Sequence, residues 1–114
     1  MFKNIDFSIL GDDLLSFQSE KIRDNHAEIE FNFTHDYRQN KNQENVVWYR
    51  LDYSPSRKII RIGYAYKKSI CSFISKKLQE KQNDMLELIL EKIKKEPSLR
   101  LLLATRQLTI EKNY

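Results

Sequence analysis

Residues 27–34 read Ala-Glu-Ile-Glu-Phe-Asn-Phe-Thr, apolar and polar in unbroken alternation. Two is the side-chain period of a β-strand, so Ala27, Ile29, Phe31 and Phe33 share one face and Glu28, Glu30, Asn32 and Thr34 the other. A strand of this kind is stable only with its apolar face covered and its polar face wet. The fold must therefore supply a partner strand and a cover on one side.

Two more stretches have strand character. Residues 46–53 are rich in aromatic and β-branched side chains, with Val47, Tyr49, Leu51 and Tyr53 on one face and Val46, Trp48, Arg50 and Asp52 on the other. Residues 57–66 alternate Ile60, Ile62, Tyr64 and Tyr66 against Arg57, Ile59, Arg61, Gly63 and Ala65. Ser54-Pro55-Ser56 is a turn between them. The polar stretch 38–45 reads as a long hairpin loop.

Helical spacing is expected on both sides of these strands. A first helix is predicted over 13–24, with Asp12 accepting from its free amides, Leu14, Leu15, Phe17 and Ile22 as its apolar residues and Asn25 as its left-handed stop. From Lys68 onward Ile70, Phe73, Ile74 and Leu78 recur at helical intervals. Gln82-Asn83-Asp84 leaves open whether 68–95 is one helix or two, because Asp84 with Glu87 resembles a capping box. Pro97 marks a stop, and Ser98 can cap a last helix carrying Leu99, Leu102 and Leu103. The expected fold is α+β in the order α-β-β-β-α-α: a three-stranded antiparallel meander with an N-terminal helix and two or three C-terminal helices on one face.

At 114 residues and 13.8 kDa, one domain is expected over 1–114. Forty per cent hydrophobic residues is too apolar for a disordered chain, while the apolar run at 101–104 falls far short of the ~20 residues of a membrane span. No signal-peptide layout opens the sequence, and the single Cys71 has no partner for an internal disulfide, so a cytoplasmic, reducing compartment is expected.

Catalytic chemistry is hard to assemble from these residues. His26 and His35 stand nine residues apart on opposite strand faces, roughly 30 Å along a strand, and cannot act as a pair. Cys71 reads as a small core residue, Asp12-Asp13 as a helix start, and Glu28 with Glu30 as the wet side of a strand. No metal spacing, phosphate-loop glycine pattern or nucleophile elbow occurs. Neither an enzymatic activity nor a cofactor is expected, although Arg57, Arg61, Tyr64, Lys67 and Lys68 are residue types that a histidine-free ribonuclease would use.

Charge points to binding. Residues 1–56 hold 6 Lys/Arg against 10 Asp/Glu, a net of −4, and residues 57–114 hold 14 against 6, a net of +8. Arg57, Arg61, Lys67, Lys68, Lys76 and Lys77 make the segment 57–81 a candidate basic patch for an anionic partner. Trp48, Arg50 and Asp52 share the strand face opposite Tyr49 and Leu51 and form a second candidate surface, since Trp and Arg are favoured interface anchors; the alternative is that the terminal helix covers Trp48 and makes it core. The preferred expectation is a small inhibitor or immunity-type protein that neutralises a bacterial protein partner such as a toxin, because a charge-divided chain suits a partner that is itself patterned.

The alternative is nucleic acid. The expected order of helix, three strands and helix resembles that of double-stranded RNA-binding domains, and residues 63–71, Gly-Tyr-Ala-Tyr-Lys-Lys-Ser-Ile-Cys, resemble the lysine-bearing start of that family's last helix. The resemblance implies that Lys67 and Lys68 contact phosphates and that the 38–45 loop lies near a minor groove.

Overall fold

The computed structural model describes residues 1–33, 46–66 and 72–113. Lys67, Lys68, Cys71, His35 and the 38–45 loop lie outside the described residues. In chain order a 3-10 turn (Phe7–Leu10) precedes β1 (Leu15–Arg23), β2 (His26–Phe33), β3 (Val46–Ser54), β4 (Ile59–Tyr66), α1 (Ser72–Lys94), α2 (Pro97–Ala104) and β5 (Thr109–Asn113). The strands form one mixed sheet in the order β1-β2-β3-β4-β5, antiparallel except for β5, which runs parallel to β4.

This corrects the expected three-stranded meander. The fold is α+β, with five strands and two helices among the described residues. It also removes the helix-first order on which the resemblance to double-stranded RNA-binding domains stood.

The expected helix over 13–24 is β1, and a bulge explains the misreading. β1 pairs Phe17 with Phe31 but Ser19 with Glu30, so Gln18 is an extra residue. The bulge switches the parity, placing Leu15 and Phe17, then Glu20 and Ile22, on the helix-facing side. Apolar residues at 15, 17 and 22 thereby lose the strand period and imitate a helical i, i+7 repeat. Asp12 does accept from backbone amides, those of Leu14 and Leu15, but the turn it stabilises launches a strand.

β2 and β3 bury the faces that their alternation assigns. Ala27, Ile29, Phe31, Phe33, Val47, Tyr49 and Leu51 are all in the core with Ile60, Ile62 and Tyr64 of β4. Phe31 stands edge-to-face with Phe17 and Tyr49, at centroid distances of 6.0 and 5.7 Å.

α1 lays Ile74, Leu78, Met85, Ile89 and Ile93 on this face at spacings of three and four or their sums. It runs through 82–84 without a break. Gln82 is buried, and its side-chain amide donates to the Ile62 carbonyl of β4 at 2.8 Å, so this polar residue pins the helix to the sheet. The Tyr49 hydroxyl donates to the Leu78 carbonyl at 2.9 Å, and burial pushes that phenol above the usual tyrosine range. Phe2, Phe7, Leu10, Leu15, Leu99 and Leu108 complete the core, with the 3-10 turn packed against β1 and α1.

Pro97 opens α2 rather than only closing α1, because the first turn of a helix needs no amide donor there. Glu96, not Ser98, holds the N-cap position. The chain then returns as β5, with Ile110 beside Ile60 and Thr109 beside Ile59.

Candidate sheet-face interface

With α1 and the N-terminal segment on one side, the other side of the sheet carries the even-numbered residues of β2 and β3. Antiparallel register decides which of them meet. His26 lies opposite Asp52, Glu28 opposite Arg50, and Glu30 opposite Trp48. On the far side of β3, Asp52 lies opposite Arg61, Arg50 opposite Gly63, and Trp48 opposite Ala65. Arg61 in turn neighbours Glu111 of β5. From β1, Arg23 and Lys21 stand beside His26 and Glu28.

Lys21/Glu28, Glu28/Arg50, Asp52/Arg61 and Arg61/Glu111 are cross-strand pairs of opposite sign, and several of the pairs on this face make contact. His26 Nδ1 is 2.5 Å from Asp52 Oδ1, and His26 Nε2 is 3.4 Å from Glu28 Oε1. The same Glu28 oxygen is 3.4 Å from Arg50 Nη2, and the Trp48 indole N–H donates to Glu30 Oε1 at 3.1 Å. Arg61 Nε donates to Glu111 Oε2 at 2.9 Å. The Asp52 hydrogen bond raises the His26 pKa above its ordinary value against the opposing effect of partial burial, and Glu28 adds to the rise. Glu28 is lowered reciprocally, first by His26.

A shallow concavity of about 300 Å³ is lined by Glu28, Trp48, Arg50 and Ala65. It exists because Gly63 and Ala65 put almost no side chain beside the large Arg50 and Trp48. A second, of about 350 Å³, lies at the β3–β4 turn and includes Asp52, Ser54, Arg57 and Arg61 in its lining.

The sequence-proposed residues distribute as follows. Trp48, Arg50 and Asp52 lie on the face that no described element covers, Trp48 half-buried and the other two exposed. Arg61 joins them there, paired with Glu111. Arg57 sits in the β3–β4 turn. Lys76 and Lys77 are on α1, in the opposite layer, and Lys77 pairs with Asp12 at 3.4 Å. The described members of the basic segment therefore lie on both sides of the sheet.

His26, Glu28, Glu30 and Glu111 are the residues that the sequence reading left out of the site. For the first three a signal was available: a register placing Glu28 opposite Arg50 also places His26 opposite Asp52 and Glu30 opposite Trp48. Glu111 offered none, since β5 was not foreseen.

No family model matches the chain, and no curated protein or solved structure matches it either. Among the described residues no group of three His, Cys, Asp or Glu side chains is arranged to hold a metal ion, and no helix is long and apolar enough to cross a membrane.

Proposed function

We propose that this chain is a small non-enzymatic binding protein that engages a protein partner through the open face of its sheet, as a cytoplasmic inhibitor or immunity-type protein that neutralises a bacterial partner such as a toxin. The carrying observation is the make-up of that face: Trp48 and Arg50 border a concavity inside a field of alternating charge, His26/Asp52, Glu28/Arg50 and Arg61/Glu111. Tryptophan and arginine concentrate binding energy at protein interfaces, and alternating charge fixes register against a surface patterned in the complementary sense.

The same geometry weighs against nucleic acid. A duplex asks for a continuous basic surface, whereas Arg61 and Lys77 are matched by carboxylates and lie in different layers of the fold.

Cross-linking and recovery from the native cell, with and without nuclease, tests the reading. One protein should be recovered regardless of nuclease, and Trp48→Ala and Arg50→Ala should weaken its capture while leaving the melting curve in place. Micromolar or tighter duplex RNA or DNA binding at ~150 mM salt, steeply salt-dependent and abolished by Lys67→Glu with Lys68→Glu, would replace it with the nucleic-acid reading.

A further inference from the structure

His26 occupies a junction that the proposed binding role does not by itself require. It begins β2 immediately after the Asp24-Asn25 turn, and its two ring nitrogens face two different carboxylates, Asp52 on β3 and Glu28 on β2. Those carboxylates belong to different parts of the open face. Glu28 lines the concavity with Trp48 and Arg50, and Asp52 lines the one at the β3–β4 turn. One imidazole thus touches a wall of each.

Imidazole chemistry makes this arrangement dependent on protonation. The cation has two N–H donors and can serve both carboxylates, while the neutral ring has one donor and must turn a lone pair toward one of them. The closer contact, to Asp52, keeps the donor; the lone pair then faces Glu28, leaving Glu28 to Arg50.

We propose that His26 is a proton-operated switch on the open sheet face, joining the Asp52 and Glu28 walls when protonated and releasing Glu28 when neutral. The surrounding charges set its range. Along β2 there is Glu28, and from β3 Asp52 and Arg50. From β1 come Arg23 directly opposite and Lys21 diagonally. In the turn stands Asp24, whose carbonyl accepts from the Met1 ammonium, and beyond Asp52 are Arg61 and Glu111. The two carboxylates in contact outweigh the flanking cations, which places the transition above the ordinary histidine range, in the direction of neutral pH.

This goes beyond the proposed function and can be tested without any partner. Imidazole ¹⁵N resonances, the Trp48 indole N–H and the Arg50 side-chain resonances of the full chain are followed from pH 5 to 9. His26, identified by its loss in His26→Gln, should titrate above 6.5, and the Arg50 and Trp48 signals should move with the same midpoint. In His26→Gln that movement should vanish, and in Glu28→Gln the His26 midpoint should fall. Arg50 and Trp48 signals that stay still while wild-type His26 titrates, or that move identically in His26→Gln, would overturn the switch. Should His26→Gln fail to fold, the His26 resonance is identified as the one retained in His35→Gln, and the wild-type titration then decides alone.

Discussion

The Lys81 ammonium, buried within α1's contact with the N-terminal segment, donates to the Asp12 carboxylate at 2.8 Å and also to the Leu10 carbonyl. Burial alone would raise Asp12, but the Lys81 hydrogen bond and the Leu15 and Leu14 amides hold it well below the usual carboxylate range. A carboxylate lowered on folding stabilises the fold above its unfolded value, about 4, and that stabilisation fades as pH falls toward the folded value. Asp12→Asn should therefore cost about 1–3 kcal/mol at pH 7 by leaving a buried donor poorly served. Its stability should fall less between pH 5 and 2 than that of wild type, as read by urea melts across that range.

Phe31 is fully buried between Phe17 and Tyr49. Phe31→Ala should cost roughly 3–5 kcal/mol through the cavity it opens. A loss below about 1 kcal/mol would contradict the placement of β2's odd-numbered residues in the core.

Arg61 and Glu111 test β5 directly. Both are well exposed, so a coupling of only about 0.2–1 kcal/mol is expected from a double-mutant cycle. Arg61→Glu should destabilise, and adding Glu111→Arg should restore part of the loss. Fully additive effects would count against the Arg61–Glu111 ion pair.

His26 carries the opposite pH sense from Asp12. Its folded pKa is raised, so its contribution is complete below about 6.5 and is lost as pH rises through the raised folded value. Wild type should lose some stability between pH 6 and 8 that His26→Gln does not lose. Thermal melts at half-unit pH intervals resolve this, and equal pH slopes would disprove it.

How far the fold can be read from the sequence differs element by element. β2 and β3 were legible because one residue in two is apolar, and that alternation needs no knowledge of neighbours. β1 was not, since one bulged residue breaks the alternation and an aspartate that could cap a helix instead holds a turn. β5 was not, because Ile110 and Lys112 take their side of the sheet from a strand about fifty positions earlier. Lys112 shows the difficulty: it shares Ile62's face yet reaches Asn83 on α1, at 2.9 Å. Half of the candidate face followed from parity, and the other half depended on register across a loop whose length sequence periodicity does not measure.

The parallel pairing of β4 with β5 also has a kinetic consequence. β1–β2 and β3–β4 close through connections of a few residues, but Ile59 meets Thr109 only across α1 and α2. Contacts so distant in sequence must first meet the entropy cost of closing a long loop. Loop-closure entropy therefore favours the hairpins forming ahead of the fifth strand's pairing. Among these elements, β5 is also the last to leave the ribosome. Until β5 pairs, none of the described strands covers that edge of β4, and an unpaired strand edge is a template for a stray strand.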